Sequence, residues 1–220
     1  MSPNVTFQRI RLKMMMNKQF SQACENNKRS ILNILTKVFS NTKHVLEIGS
    51  GTGQHAVFFG QQLPHLTWQT SDLPINHLGI NAWLDEAVLT NVPRPIIVDL
   101  DKTWPIPNNN LPVDGIYTAN TLHIISWPLV VKFFEGISEN VTVGANICIY
   151  GPFNYQGKFT SESNADFELW LKDRDINSGI RDIEAILLLA NTAGLNLIDD
   201  HCMPANNRLL VFSKIGCPPT

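Results

Sequence analysis

The chain has 220 residues, 44% hydrophobic and only 16% charged, which supplies a globular core and excludes a disordered polyelectrolyte. Its 17 basic and 19 acidic side chains leave a net charge of −2, so no basic field exists to hold a nucleic-acid backbone. No apolar run approaches the roughly 18 residues of a membrane span.

In chain order, residues 1–24 contain no acid, and Arg9, Arg11, Lys13 and Lys18 accompany Phe7, Ile10 and Met14 at helical spacing. Residues 1–19 read as a loose tail, with an organellar leader as the alternative, ahead of one domain over residues 20–220. The 4 cysteines form no Cys-x-x-Cys pair, which suits free thiols in a reducing, cytoplasmic setting.

Apolar spacing predicts a first helix over 21–39 with Ser21 as its cap, then a buried strand over 44–48. Gly49-Ser-Gly-Thr-Gly53 follows at once. Helices are expected over 54–63, 76–89 and 128–137, and strands over 66–70, 95–98, 113–118 and 145–150. Residues 103–112 read as a surface loop that includes Asn108 to Asn110, and 151–163 as a long connector. Two helices, 164–173 and 181–193, precede a strand pair, 195–200 and 209–213. Strands and helices alternate five times, so a three-layer α/β domain with a mostly parallel sheet is expected.

Ligands of such sheets bind beyond the carboxyl ends of the strands. Glu47, Asp72 and Asp99 stand at or near three of those ends, and Asn120 and His123 follow a fourth. Three alternate glycines let the backbone turn sharply and let a ligand approach the main chain. Asp72 lies 19 residues past Gly53, the distance at which a carboxylate meets a ribose diol. An adenosine-bearing cofactor is implied. Gly51 to Ala56 also satisfies the dinucleotide pattern, which keeps an NAD-dependent oxidoreductase open. Glu47 argues against a pyrophosphate and for a cationic ligand such as S-adenosylmethionine.

The run from Leu46 to Ala56 resembles the first motif of class I S-adenosylmethionine-dependent methyltransferases. Further blocks make the chain similar to the methyltransferase-like 26 family. They are 21–32, 63–68, Ser71-Asp72, 119–124, 150–153, Phe159-Thr-Ser161 with Ser163-Asn164, 179–182 and 203–207. The resemblance implies a Rossmann-like seven-stranded sheet with its last strand antiparallel. It implies that Glu47, Gly49, Ser50, Gly51, Gly53 and Asn120 serve the methionine end, and that Asp72 with Leu73 serves the ribose. Asp99 and Leu100 would flank the adenine, and Asn27 or Lys28 would close over the amino acid moiety.

Methyl transfer needs positioning and sometimes a base, and His123 has the titration range for one. Tyr150, Phe153, Arg181 and Asn206 are candidate walls of a small-molecule acceptor pocket. No histidine pair has metal-ligand spacing, and no metal is expected. A cofactor-binding partner without catalysis of its own is the reading from another functional class. Acceptor and oligomeric state are left open.

Overall fold

A computed structural model describes residues 18–105 and 112–216. Residues 1–17 of the expected tail or leader over 1–19, Asn108 to Asn110 and Cys217 lie outside the described residues. In chain order the elements are α1 (Gln22–Val38), β1 (His44–Ile48), α2 (Gln54–Gln62), β2 (Thr67–Asp72), α3 (His77–Ala87), β3 (Ile96–Ile97), β4 (Gly115–Ala119) and α4 (Trp127–Asn140). They continue with β5 (Asn146–Gly151), β6 (Phe153–Asn154), α5 (Glu162–Arg174), β7 (Arg181–Asp182), α6 (Ile183–Thr192), β8 (Leu195–Met203) and β9 (Asn207–Lys214).

The main sheet has 7 strands in the order β3-β2-β1-β4-β5-β9-β8. Strands β1 to β5 run parallel, and β9 enters antiparallel between β5 and β8. The sheet is therefore the expected three-layer one with an antiparallel last strand. Strand order turns back on itself between β1 and β4, which opens a crevice at their carboxyl ends.

The two-residue period of the strands builds both cores. Leu46, Ile116, Ile147, Ile149, Leu210 and Phe212 point to the face covered by α4 and α6. Val45, Trp68, Tyr117, Cys148, Leu209 and Val211 point to the face covered by α1, α2 and α3. Central strands buried on both sides read as apolar runs, which is why they are visible in the sequence. Trp68, Tyr117 and Phe59 interlock with ring centroids 5.3–5.4 Å apart.

Four local readings change. Residues 151–163 are not a plain connector, because Phe153–Asn154 pairs in parallel with Arg181–Asp182 as a second small sheet. The last helix accordingly starts at Ile183, behind Asp182. The 76–89 helix begins only at His77, after a 3-10 turn over Pro74–Asn76. Strands β8 and β9 run on to Met203 and from Asn207. The edge strand β8 is largely exposed or half-buried and shifts register between Leu197 and Asp199, which breaks its alternation, so its last three residues, His201 to Met203, are not legible as strand. Among the described residues no helix is long and apolar enough to cross a membrane.

Gly136 of α4 lies against the Trp104 indole, which a Cβ at that position would strike. Trp104 is itself buried in the α4 core. Overpacking of this kind costs about 1–3 kcal/mol. Gly136→Ala is therefore expected to lower the unfolding free energy by that amount, read as a lower urea midpoint at an unchanged m-value, and an unchanged midpoint would show that this contact is loose.

Candidate functional site

The crevice is a cleft of about 340 Å³ lined by groups from five regions of the chain. Glu47 closes its floor, and Gly49, Ser50, Gly51 and Thr52 form one wall. Asp72 and Asn76 come from the end of β2, and Ala119, Asn120, Thr121, Ile124 and Ile125 from the loop after β4. Ser21 and Cys24 of the first helix and His55 of α2 complete it.

Strand periodicity places Glu47 on the same face as Val45, between Trp68 of β2 and Tyr117 of β4. Its side chain is only 2% exposed. The Trp68 Nε1–H and the Ser50 hydroxyl both donate to Oε2, at 3.1 and 2.9 Å. Burial outweighs these bonds and pushes the carboxyl up from 4.5 to about 7. Ser50 ties the loop further: its N–H donates to the Ser71 carbonyl, its Oγ accepts from the Ser71 N–H, and the Ser71 hydroxyl donates to the Glu47 carbonyl.

Gly49 and Gly51 have φ of 73° and 56°, in the left-handed region that favours glycine. A Cβ at Gly49 would stand 3.0 Å from Thr121 Oγ1, whereas one at Gly51 would meet nothing within 4 Å. The first glycine thus lets the β4 loop close in, and the second leaves the main chain open. Asp72 already works hard. Its Oδ2 accepts the Gly51 N–H at 2.7 Å, and its Oδ1 accepts the Leu73 N–H and the Asn76 amide, each at 2.7 Å. Of the roughly four acceptor sites of a carboxylate, one is left.

The structure therefore brings Glu47, Gly49, Ser50, Gly51, Asp72 and Asn120 to one cleft. Other expected residues stand elsewhere. Gly53 supports α2 from below, against Ile80 of α3. Leu73 contributes its N–H to Asp72 while its side chain faces outward. Asp99 is held away by an ion pair with Lys102 at 2.8 Å, and Leu100 packs on the α4 core; neither lines the cleft. Asn27 is buried behind it and accepts from His55 Nε2 at 2.7 Å, while His55 Nδ1 meets the Tyr117 hydroxyl at 3.2 Å. Burial lowers His55 to about 4, so at neutral pH the ring is uncharged and bridges the two partners.

His123 likewise stands outside the cleft lining. It is buried behind the loop with its ring 5.4 Å from Phe167. Burial and then the Arg181 charge lower it to about 4, which weakens it as a proton acceptor. Tyr150 and Phe153 are core residues on opposite faces of the sheet and do not form a wall together. Asn206 sits in the β8–β9 turn and donates to Ser163 Oγ at the start of α5. Arg181 binds main-chain carbonyls of the post-β4 loop.

Ser21, Cys24, His55, Asn76 and Ile124 join the cleft without having been expected there. His55 and Asn76 carry a usable signal, since each stands within a few residues of the glycine loop or Asp72. Ser21 and Cys24 arrive by tertiary packing of the first helix alone.

Solved structures similar in fold include human N-acetylserotonin methyltransferase in complex with SAM, at 16% identity and TM-score 0.73, covering 88% of this chain and 53% of that one. An O-methyltransferase family 2 protein from Planctomyces limnophilus, in complex with apigenin, has 17% identity and TM-score 0.72, covering 98% and 62%. An O-methyltransferase family protein from Burkholderia thailandensis has 16% identity and TM-score 0.71, covering 86% and 56%. The chain thus spans between 53% and 62% of the length of these structures. At such identity the likeness shows the fold, the Rossmann-like fold of class I methyltransferases. In sequence, residues 18–214 match the family described as "Protein of unknown function (DUF938)", and the chain belongs to that family.

Proposed function

We propose that the chain is an S-adenosylmethionine-dependent methyltransferase acting on a small-molecule acceptor in a cytoplasmic setting, and that its nearer relationship is to the methyltransferase-like 26 family. The observation that carries this reading is the buried Glu47 carboxyl on the floor of a glycine-walled cleft. A second acid, Asp72, stands in the same cleft, so a pyrophosphate would meet two carboxylates, whereas a cation is favoured. A cleft of about 340 Å³ also lies within the usual range for small-molecule sites.

The residues present fit the cofactor. Glu47 would face its positive charges, and the open main chain at Gly51 would admit its methionine end. Asp72 would accept from one ribose hydroxyl, with a second site opening only if the Asn76 amide turns away. Asn120, held at φ 56°, would flank the same end. When bound, S-adenosylmethionine supplies a methyl group on a positively charged sulfur. The protein's own part is to orient the acceptor and exclude water. The set-back position of His123 favours one second reading, a cofactor-binding partner without catalysis of its own. Methyl incorporation from labelled cofactor into a metabolite extract separates the two.

Titration calorimetry is expected to show binding of S-adenosylhomocysteine and none of NAD; tight NAD binding with no S-adenosylhomocysteine binding would overturn the proposal. Asp72→Ala is expected to weaken S-adenosylhomocysteine by about 1.5–3 kcal/mol, the worth of a charge-assisted hydrogen bond. Unchanged affinity would remove Asp72 from the ribose.

Glu47 gives a pH signature. Between the ordinary 4.5 and about 7, the folded state holds the Glu47 proton more tightly than the unfolded state. Its contribution to stability therefore falls as pH rises through that window and is constant above it. Glu47→Gln removes the penalty. Its melting temperature is expected to match the wild type near pH 4.5, exceed it at pH 8, and be accompanied by weaker S-adenosylmethionine binding. Parallel melting curves at every pH would show that Glu47 is not held protonated.

A further inference from the structure

The loop after β4 satisfies its N–H and C=O groups in opposite directions. The Ile124 and Ile125 N–H groups both return to the Thr121 carbonyl, at 2.9 and 3.1 Å. The carbonyls of residues 122 to 125 point the other way, and each of the four meets a donor from one short segment, residues 178–181. The Arg181 Nε–H donates to Leu122 at 3.0 Å, and the Gly179 N–H donates to His123 at 2.9 Å. The Ser178 hydroxyl donates to Ile124 at 2.6 Å, and Arg181 Nη2 donates to Ile125 at 2.5 Å.

The segment is itself fixed from α5. Glu168 Oε2 accepts the Ile180 N–H at 2.6 Å. A Cβ on Gly179 would come within 2.8 Å of Glu168 Oε1, so the carboxylate lies close against the glycine. The Arg181 guanidinium is half-buried, and its hydrogen bonds go to the main-chain carbonyls of Leu122, Ile125 and Asn177. Among the described residues it makes no ion pair. A guanidinium spans two carbonyls three residues apart because its donors are held in a rigid fork; an ammonium has no such fork. The clamped loop is also the cleft wall that carries Asn120, Thr121, Ile124 and Ile125.

We propose that Arg181 is a positioning residue: with Ser178 and Gly179 it fixes the main chain of the loop over residues 121–125 and so sets the wall of the cofactor cleft. The loop-fixing part is independent of function, and the cleft-setting part rests on the reading of that cleft as a cofactor site. Arg181 is thereby assigned to the loop behind the cleft, not to contact with an acceptor.

The test joins hydrogen exchange of the 119–126 segment to calorimetry with S-adenosylhomocysteine. Arg181→Met keeps the bulk and removes the donors. It is expected to raise the exchange of the Ile124 and Ile125 amides about tenfold, to leave β1 and β5 protected, and to weaken binding about tenfold. Arg181→Lys, which keeps the charge and one donor direction, is expected to recover part of that affinity; a packing role predicts instead that Met serves as well as Arg. Ser178→Ala, a milder change that carries the same test if Arg181→Met fails to fold, is expected to shift both readouts in the same direction by a smaller factor. Wild-type exchange in both Arg181→Met and Ser178→Ala would overturn the clamp. Faster loop exchange with unchanged affinity would overturn its link to the cleft. Absence of binding by the wild type would defeat the cofactor reading alone, and the exchange arm would still decide the clamp.

Discussion

The hydrogen bond from the Ser50 hydroxyl to the buried Glu47 carboxyl holds the cleft together. It ties the glycine loop back to the strand it has just left, and the same hydroxyl accepts from Ser71 on the neighbouring strand. A carboxyl in an apolar layer is costly unless it is hydrogen-bonded. Here Trp68 and Ser50 offset part of that cost and leave the group poised near neutrality. Gly51 then finds its place because its N–H reaches Asp72, and Asp72 in turn organises the 3-10 turn through Leu73 and Asn76. One acid thus fixes the glycine loop, and a second fixes the turn beyond β2.

Behind this cleft lies a second polar layer. Asn27, His55 and Tyr117 form a buried chain that anchors the first helix to the sheet. Ser21 and Gln54 exchange hydrogen bonds at the rim, with the Ser21 N–H donating to the Gln54 side chain and the Gln54 amide donating to the Ser21 carbonyl. The first helix is therefore part of the site's frame. Its apolar residues Ile31 and Leu35 supply the packing, and its polar residues supply the register.

The central strands and the glycine turn are legible in the sequence because burial on both faces and alternate glycines leave strong local patterns. Glu47 and Asp72 are legible because carboxylates are sparse in this chain. The expected residues that stand outside the cleft each have a physical reason. Asp99 follows a strand of only two residues, so the strand-end rule carries it further than the chain does, and Lys102 draws it outward. His123 is adjacent in sequence to the cleft wall, yet a tight loop points neighbouring side chains in opposite directions. Arg181 reads from the sequence as a wall of the acceptor pocket. Two of its three carbonyl partners lie some 60 residues away in the chain, and no local pattern announces them.

Strand β9 enters the sheet between β5 and β8, pairing with both. Strand β5 comes off the ribosome long before β9 does. For the whole interval of synthesis in which α5, α6 and β8 are made, one edge of the growing sheet has no partner. That edge presents Ile147, Cys148, Ile149 and Tyr150 in a nearly unbroken apolar run, the kind of exposed edge that templates aggregation. The insertion that defines this sheet makes its completion a late event, and the nascent chain is most vulnerable to self-association just before its final hairpin forms.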